Sequence, residues 1–172
     1  MGESVLTGKR ILAVDDEPDI LDVLEEELDR FGVKMDRALS YEGGIQLLTS
    51  CTYDLVILDI MGVRGFELLE VAVLKKFPVV MLTAHALSPQ ALKKSIELGA
   101  RAYIPKDDIE HIVPFLEDVQ TLSYESAWLK TLKRLGEFFG TRFGPNWRKS
   151  EKEFWENFEK TLEMKESTII KN

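Results

Sequence analysis

Five short runs of strand-forming residues recur along the first two thirds of the chain: "RILAV" (10–14), "VKMDRA" (33–38), "DLVILD" (54–59), "PVVML" (78–82) and "RAYI" (101–104). Between them lie stretches with apolar residues at three- and four-residue steps, long enough for crossover helices. Ile20, Leu21, Leu24, Leu28 and Phe31, set among acids, mark the first helix. Ser40 suits the N-cap of a second whose apolar face is Ile45, Leu47 and Leu48. Phe66, Leu68, Leu69 and Leu74 mark a third. Ser88-Pro89 opens a fourth with proline in its first turn, and Gly99 ends it. Pro114 is unsuited to a helix interior, so the fifth is expected to start within residues 109–113.

Strands and helices that alternate in this way, with nearly uninterrupted apolar strands, build a parallel sheet covered on both faces. Crossovers between parallel strands are right-handed. The expected fold is α/β: a flavodoxin-like, doubly wound, five-stranded parallel sheet of order 2-1-3-4-5 with helices on both faces. The ligand site of such a sheet lies at the carboxyl ends of the strands flanking the switch point, here strands 1 and 3.

Those ends carry reactive groups. Strand 1 runs into Asp15-Asp16-Glu17, strand 3 ends in Asp59, strand 4 ends in Thr83 followed by Ala84, and strand 5 ends near Lys106. The topology brings carboxylates, a hydroxyl and an ammonium to one rim. Crowded carboxylates repel, which raises the cost of ionising all of them. A hard divalent cation relieves that repulsion, and carboxylate and carbonyl oxygens suit Mg²⁺. A carboxylate at such a site is a usable nucleophile toward phosphorus. Lys106 and Thr83 could then hold the transferred phosphoryl oxygens. Singly, the residues read more plainly: Asp15-Asp16-Glu17-Pro18 as an acidic helix start, Asp59 as a turn residue, Lys106 as a surface charge. Their placement together at strand ends favours a site.

Over about residues 9–121 the chain resembles a receiver domain of the two-component response regulators. The resemblance is carried by "ILAVDDEPDI", "YDLVILDIM" with "GFELL", "VVMLTAHA" and "GARAYIPK". It implies that Asp59 accepts a phosphoryl group from a phosphohistidine of a partner histidine kinase or phosphotransfer protein. It further implies that Asp16, Asp59 and the backbone carbonyl of Met61 ligate Mg²⁺ (or Mn²⁺ in its place), with Asp15 acting through water. Lys106 and Thr83 would contact the phosphoryl group, and Tyr103 takes the place of the aromatic that turns inward when Thr83 moves. The implied activity is a switch of protein contacts, not an enzymatic turnover. Two rival readings are a Mg²⁺-dependent phosphohydrolase with an aspartyl nucleophile and a pseudo-receiver scaffold that is never phosphorylated. Met61 stands where such hydrolases often carry a second acid, and the full acid, threonine and lysine set argues against the scaffold.

The sequence departs from the family's pattern in three places. The loop Asp59-Ile60-Met61-Gly62-Val63-Arg64-Gly65 is two residues shorter than the common D-I-M-M-P-x-x-D-G, with Arg64 where an acid is frequent. Pro105 precedes Lys106, whereas the family commonly places a proline after the lysine. His85 stands two residues after Thr83, where the family tunes access of water.

Composition divides the chain near residue 122. Residues 1–122 hold 12 Lys+Arg against 22 Asp+Glu, and residues 123–172 hold 10 against 8. Nine of the sixteen aromatic residues and all three tryptophans lie in the second part. We therefore expect a receiver over 1–122 and an aromatic-rich α-helical hairpin over 123–172. Trp128, Leu132, Leu135 and Phe139 form one apolar stripe. "GTRFGPN" supplies the turn, and Trp147, Phe154, Trp155, Phe158 and Leu162 form the second stripe. The last receiver helix is expected to run straight into the first of these helices. Such stripes must be buried, on the receiver, on a partner or on a second copy. A homodimer would use these helices or the face of helix 4, strand 5 and helix 5. Clustered basic residues are absent, so nucleic acid is not an expected ligand. No apolar run is long enough for a membrane span, the N-terminus lacks an apolar signal core, and Cys51 has no second cysteine to pair with. These features together suggest the cytoplasm.

Overall fold

The chain was analysed as a computed structural model, which describes residues 4–84, 88–149 and 152–171. The elements run β1 (Arg10–Val14), α1 (Pro18–Asp29), β2 (Lys34–Ala38), α2 (Tyr41–Ser50), β3 (Leu55–Leu58), α3 (Gly65–Leu74), β4 (Val79–Thr83), α4 (Pro89–Glu97), β5 (Ala102–Pro105), a 3₁₀ helix (Lys106–His111), α5 (Ile112–Thr121), α6 (Tyr124–Phe143) and α7 (Lys152–Lys171). All strand pairs are parallel and their order is β2-β1-β3-β4-β5, as the alternation predicts.

Side chains alternate across the sheet with a period of two. Leu12, Val14, Val56, Leu58, Met81 and Tyr103 join one core with α2, α3 and α4. Ile11, Ala13, Leu55, Ile57, Val80, Leu82 and Ile104 join the other with α1 and α5. The helix starts follow their caps. Ser40 Oγ accepts the Gly43 N–H at 3.1 Å and Ser88 Oγ accepts the Ala91 N–H at 3.0 Å. Pro18 and Pro89 open α1 and α4, where a missing N–H has no intrahelical acceptor to lose. Pro114 falls in the first turn of α5.

The expected continuation of α5 into the next helix does not occur. Leu122 is extended (φ −90°, ψ 157°), and Ser123 caps a new helix by accepting the Ser126 N–H at 3.1 Å. A serine hydroxyl that bonds the backbone ahead of it competes with helix propagation. The break turns α6 across the β5 edge of the sheet. There the Trp128 Nε1–H donates to the Ala100 carbonyl at 2.8 Å. The Arg134 guanidinium lies 4.1 Å from the Phe115 ring of α5, and Lys130 sits 3.5 Å from Asp118 of the same helix. On the other side the Lys93 ammonium of α4 stands 5.1 Å from the Phe154 ring of α7.

The first stripe therefore buries at the β5 edge of the chain's own receiver, and the second packs back onto α6. Trp128, Leu132, Leu135, Phe139, Trp155 and Leu162 are buried in the core that contains Val14, Leu58 and Tyr103. Trp147 was expected to begin the second helix. It lies instead in the turn before α7, with its ring 5.0 Å from Phe139 and edge-on to Trp155 at 5.3 Å. The hairpin covers an edge strand that would otherwise present unpaired backbone groups. Among the described residues no helix is long and apolar enough to cross a membrane.

Candidate functional site

The strand ladder carries the acids to the rim. The Asp15 N–H donates to Ala38 O at 3.1 Å and the Asp59 N–H to Val14 O at 3.0 Å, so the hydrogen-bond pattern extends one residue past β1 and β3. With Val14 level with Leu58, Asp15 and Asp59 stand side by side on neighbouring strands. Lys106 begins the 3₁₀ helix directly after β5 and reaches back to both. Its Nζ lies 2.9 Å from Asp15 Oδ2, 3.5 Å from Asp59 Oδ1 and 3.5 Å from Glu17 Oε1. Asp15, Asp59 and Lys106 are 2%, 4% and 6% exposed, so these charges meet largely out of water. Thr83 ends β4 beside Pro105 and is fully buried.

The electrostatics follow from burial and crowding. Desolvation first, then the neighbouring charge of Asp15, push the Asp59 carboxyl up to about 7; Lys106 only partly offsets them. Burial also raises Asp15, against the opposing pull of Lys106. Burial alone would lower Lys106, but the carboxylates of Asp15, Asp59 and Glu17 outweigh it and hold the ammonium above its ordinary range.

Three carboxylates thus face one ammonium, with the exposed Asp16 beside them. Asp15, Asp16 and Glu17 each offer an oxygen within 4.8 Å of the others. Asp15 Oδ2 and Lys106 Nζ are buried without an aligned hydrogen bond, despite their close approach as an ion pair. A hard cation with oxygen ligands fits this donor set and its excess negative charge. The two adjacent acids are not equivalent: Asp15 is buried on Lys106, whereas Asp16 is exposed at the rim.

The shortened loop after Asp59 explains its own glycines. Gly62 has φ +81°, and a Cβ there would lie 2.3 Å from Asp16 Oδ2. Gly65 opens α3 against the end of β3, where a Cβ would lie 1.9 Å from the Asp59 carbonyl oxygen. Only glycine allows these approaches. Arg64, between them, adopts the left-handed conformation (φ 54°) and is pinned by Glu67 and by the Tyr41 ring 4.1 Å from its guanidinium. The Met61 side chain is exposed within the turn. Sequence reading passed over Gly62, Gly65 and Tyr41 as site residues. Two glycines within four residues of so short a loop were the available signal.

Tyr103 is fully buried, and its hydroxyl takes a backbone hydrogen bond from Ser88; burial pushes the phenol above its ordinary range. His85 lies outside the described residues. His111 is exposed at the end of the 3₁₀ helix, and Cys51 is half-buried with Arg10 Nη2 3.6 Å from its sulfur.

Comparison with known proteins agrees with this geometry. The family model for the response regulator receiver domain matches residues 11–117. A two-component response regulator of Arabidopsis thaliana, ARR18, is 37% identical over 103 residues, covering 58% of this chain and 16% of its own. The transcriptional regulatory protein YrkP of Bacillus subtilis is 41% identical over 80 residues, covering 45% of this chain and 34% of its own. This chain thus spans about a third or less of the length of these curated relatives. The response regulator TrrA of Thermotoga maritima, crystallised with Mg²⁺ and BeF, superposes with a TM-score of 0.57 at 35% identity, covering 64% of this chain and 98% of that one. The non-phosphorylated receiver domain of HemR from Leptospira biflexa superposes with a TM-score of 0.59 at 32% identity, covering 67% and 96%.

Proposed function

Because the chain belongs to the response regulator receiver family, we propose that Asp59 accepts a phosphoryl group from a phosphohistidine of a histidine kinase or phosphotransfer protein in the cytoplasm. The observation that carries this reading is Lys106, buried and shared between Asp15 and Asp59 at the carboxyl ends of the strands. In the step, an Asp59 oxygen bonds phosphorus as the phosphorus–nitrogen bond breaks, and the imidazole leaves with the nitrogen's electron pair and takes up a proton. Lys106 holds a phosphoryl oxygen and offsets its charge, and the Thr83 hydroxyl donates to another. Asp16, Asp59 and the Met61 carbonyl would hold Mg²⁺, with Asp15 acting through water. The ion supplies charge neutralisation and alignment of the phosphoryl oxygens when bound. Gly62 keeps Asp16 free to turn toward that position.

Residues 1–122 form the receiver in this reading, and residues 123–172 are an extension that caps it. The apolar stripes that could have joined a second copy are already largely covered, that of α6 at the β5 edge and that of α7 on α6. The signal leaves by protein contact. Incubating the protein with Mg²⁺ and acetyl phosphate should add one phosphoryl mass, and Asp59→Ala should abolish the gain. No gain even with a histidine kinase present, or a gain that survives in Asp59→Ala, would refute the assignment.

A further inference from the structure

We propose that Arg64 is the positioning residue that sets the shape of the short loop after β3 and, through that loop, makes the acid rim select Mg²⁺ over larger divalent cations such as Ca²⁺. The inference rests on the cation site in the function proposed above and adds the residue that tunes it.

The loop is closed by its own backbone. The Gly65 N–H donates to the Ile60 carbonyl at 3.0 Å, so Met61, Gly62, Val63 and Arg64 are looped out between them. Two glycines press on the acids. Gly62 lies so near Asp16 that a Cβ would collide with its carboxylate, and Gly65 lies closer still to the Asp59 carbonyl. Val63 anchors the inner side of the loop, fully buried in the core that holds Leu58 and Leu68. Arg64 secures the outer side. Its backbone is left-handed (φ 54°, ψ 52°), a conformation that a Cβ disfavours. Such a residue persists where its surroundings over-determine it. Here the guanidinium lies 4.1 Å from the Tyr41 ring at the start of α2 and pairs with Glu67 in the first turn of α3. The Arg64 carbonyl accepts the Glu67 and Leu68 N–H groups that open α3, at 3.0 Å and 3.2 Å. One residue thus ties two helix starts to the loop that touches both acids.

Gly62 and Gly65 lie on either side of Arg64, so a rotation about its φ or ψ moves the Asp16 contact relative to the Asp59 contact. Met61, whose carbonyl is the third proposed ligand, moves with Gly62. Mg²⁺ demands near-octahedral ligands at short distances, whereas Ca²⁺ accepts more ligands in looser geometry at longer ones. A loop held on both sides disfavours the larger ion, and a released loop does not. Charge alone gives the opposite expectation for Arg64. A cation on a loop that borders the rim repels a metal ion, so its removal by itself would tighten binding.

The test measures Mg²⁺ and Ca²⁺ affinities of the full chain by calorimetry, with hydrogen exchange of the metal-free protein. Arg64→Gly accepts the left-handed backbone at no steric cost and removes the clamp. It should speed exchange of the Gly65 amide and leave the metal-free unfolding midpoint nearly unchanged. It should weaken Mg²⁺ binding by about tenfold, with a smaller loss for Ca²⁺. Tyr41→Leu leaves every charge in place and should weaken Mg²⁺ binding by about two- to fivefold, again with a smaller loss for Ca²⁺. Mg²⁺ binding that is unchanged or tighter in both variants, or Mg²⁺ and Ca²⁺ affinities that fall by the same factor, would overturn the role of Arg64 and leave the proposed function standing. A wild type that binds no Mg²⁺ would overturn the cation site of the proposed function and this inference with it.

Discussion

The two ends of β5 are built on opposite terms. At the carboxyl end, Asp15, Asp59 and Lys106 are nearly buried, and the Asp59 carboxyl is held up near 7 by desolvation and by Asp15. At the amino end, Trp128 inserts its ring against the strand, satisfies its N–H on Ala100 and joins Leu132, Phe139 and Trp155 in one apolar core. The first arrangement costs stability unless a cation offsets its excess of carboxylate charge. The second contributes stability at once, because aromatic burial needs no ligand. Residues retained at a cost mark where the chain acts, and residues that stabilise without a ligand mark where it is held together.

Substitutions at the two ends should separate these terms. The largest effect is expected from Lys106→Met, which strands Asp15 and Asp59 as uncompensated buried charges. It should slow Asp59 adduct formation by about 100-fold or more and destabilise the metal-free protein by about 3–5 kcal/mol, read by intact mass and urea denaturation. Trp155→Ala at the other end should cost a similar ~3–5 kcal/mol while the folded protein still accepts a phosphoryl group. Equal loss of both properties at both ends would break the contrast. Gly62→Ala should cost about 1–2 kcal/mol for the left-handed backbone. Its methyl group would displace Asp16, so Mg²⁺ affinity measured by calorimetry should fall about tenfold or more. Lys130→Ala removes an exposed pair with Asp118 and should change stability by less than about 1 kcal/mol.

Much of the acid end was legible in the sequence, and little of the hairpin end was. Strand periodicity and the parallel alternation predicted the sheet order, and the order alone put Asp15, Asp59, Thr83 and Lys106 on one rim. That reading works because strand ends in a doubly wound sheet have few places to go. The partition between Asp15, buried on Lys106, and exposed Asp16 was not legible, since it depends on how the turn before α1 rotates two adjacent side chains. For the hairpin, the spacing of Trp128, Leu132, Leu135 and Phe139 predicted a buried stripe but not what buries it: period gives a face, never its partner. The break at Leu122–Ser123 decided the partner, and it hinged on a single capping serine. The roles of Gly62 and Gly65 required knowing which atoms pass within a methyl group's reach.

The most direct test of this account compares the stability of the wild type and Asp59→Asn as pH rises, without and with Mg²⁺. An Asp59 carboxyl raised to about 7 from 3.8 makes the folded state bind more protons than the unfolded state between those values. The wild type without metal should therefore lose stability relative to Asp59→Asn as pH climbs from about 4 to about 7. Saturating Mg²⁺ should reverse the order above pH ~7, stabilising the wild type more than the variant. A wild type that gains stability over Asp59→Asn across that range without metal, or a Mg²⁺ effect equal in both proteins, would contradict a rim of crowded carboxylates kept for a cation and a phosphoryl group.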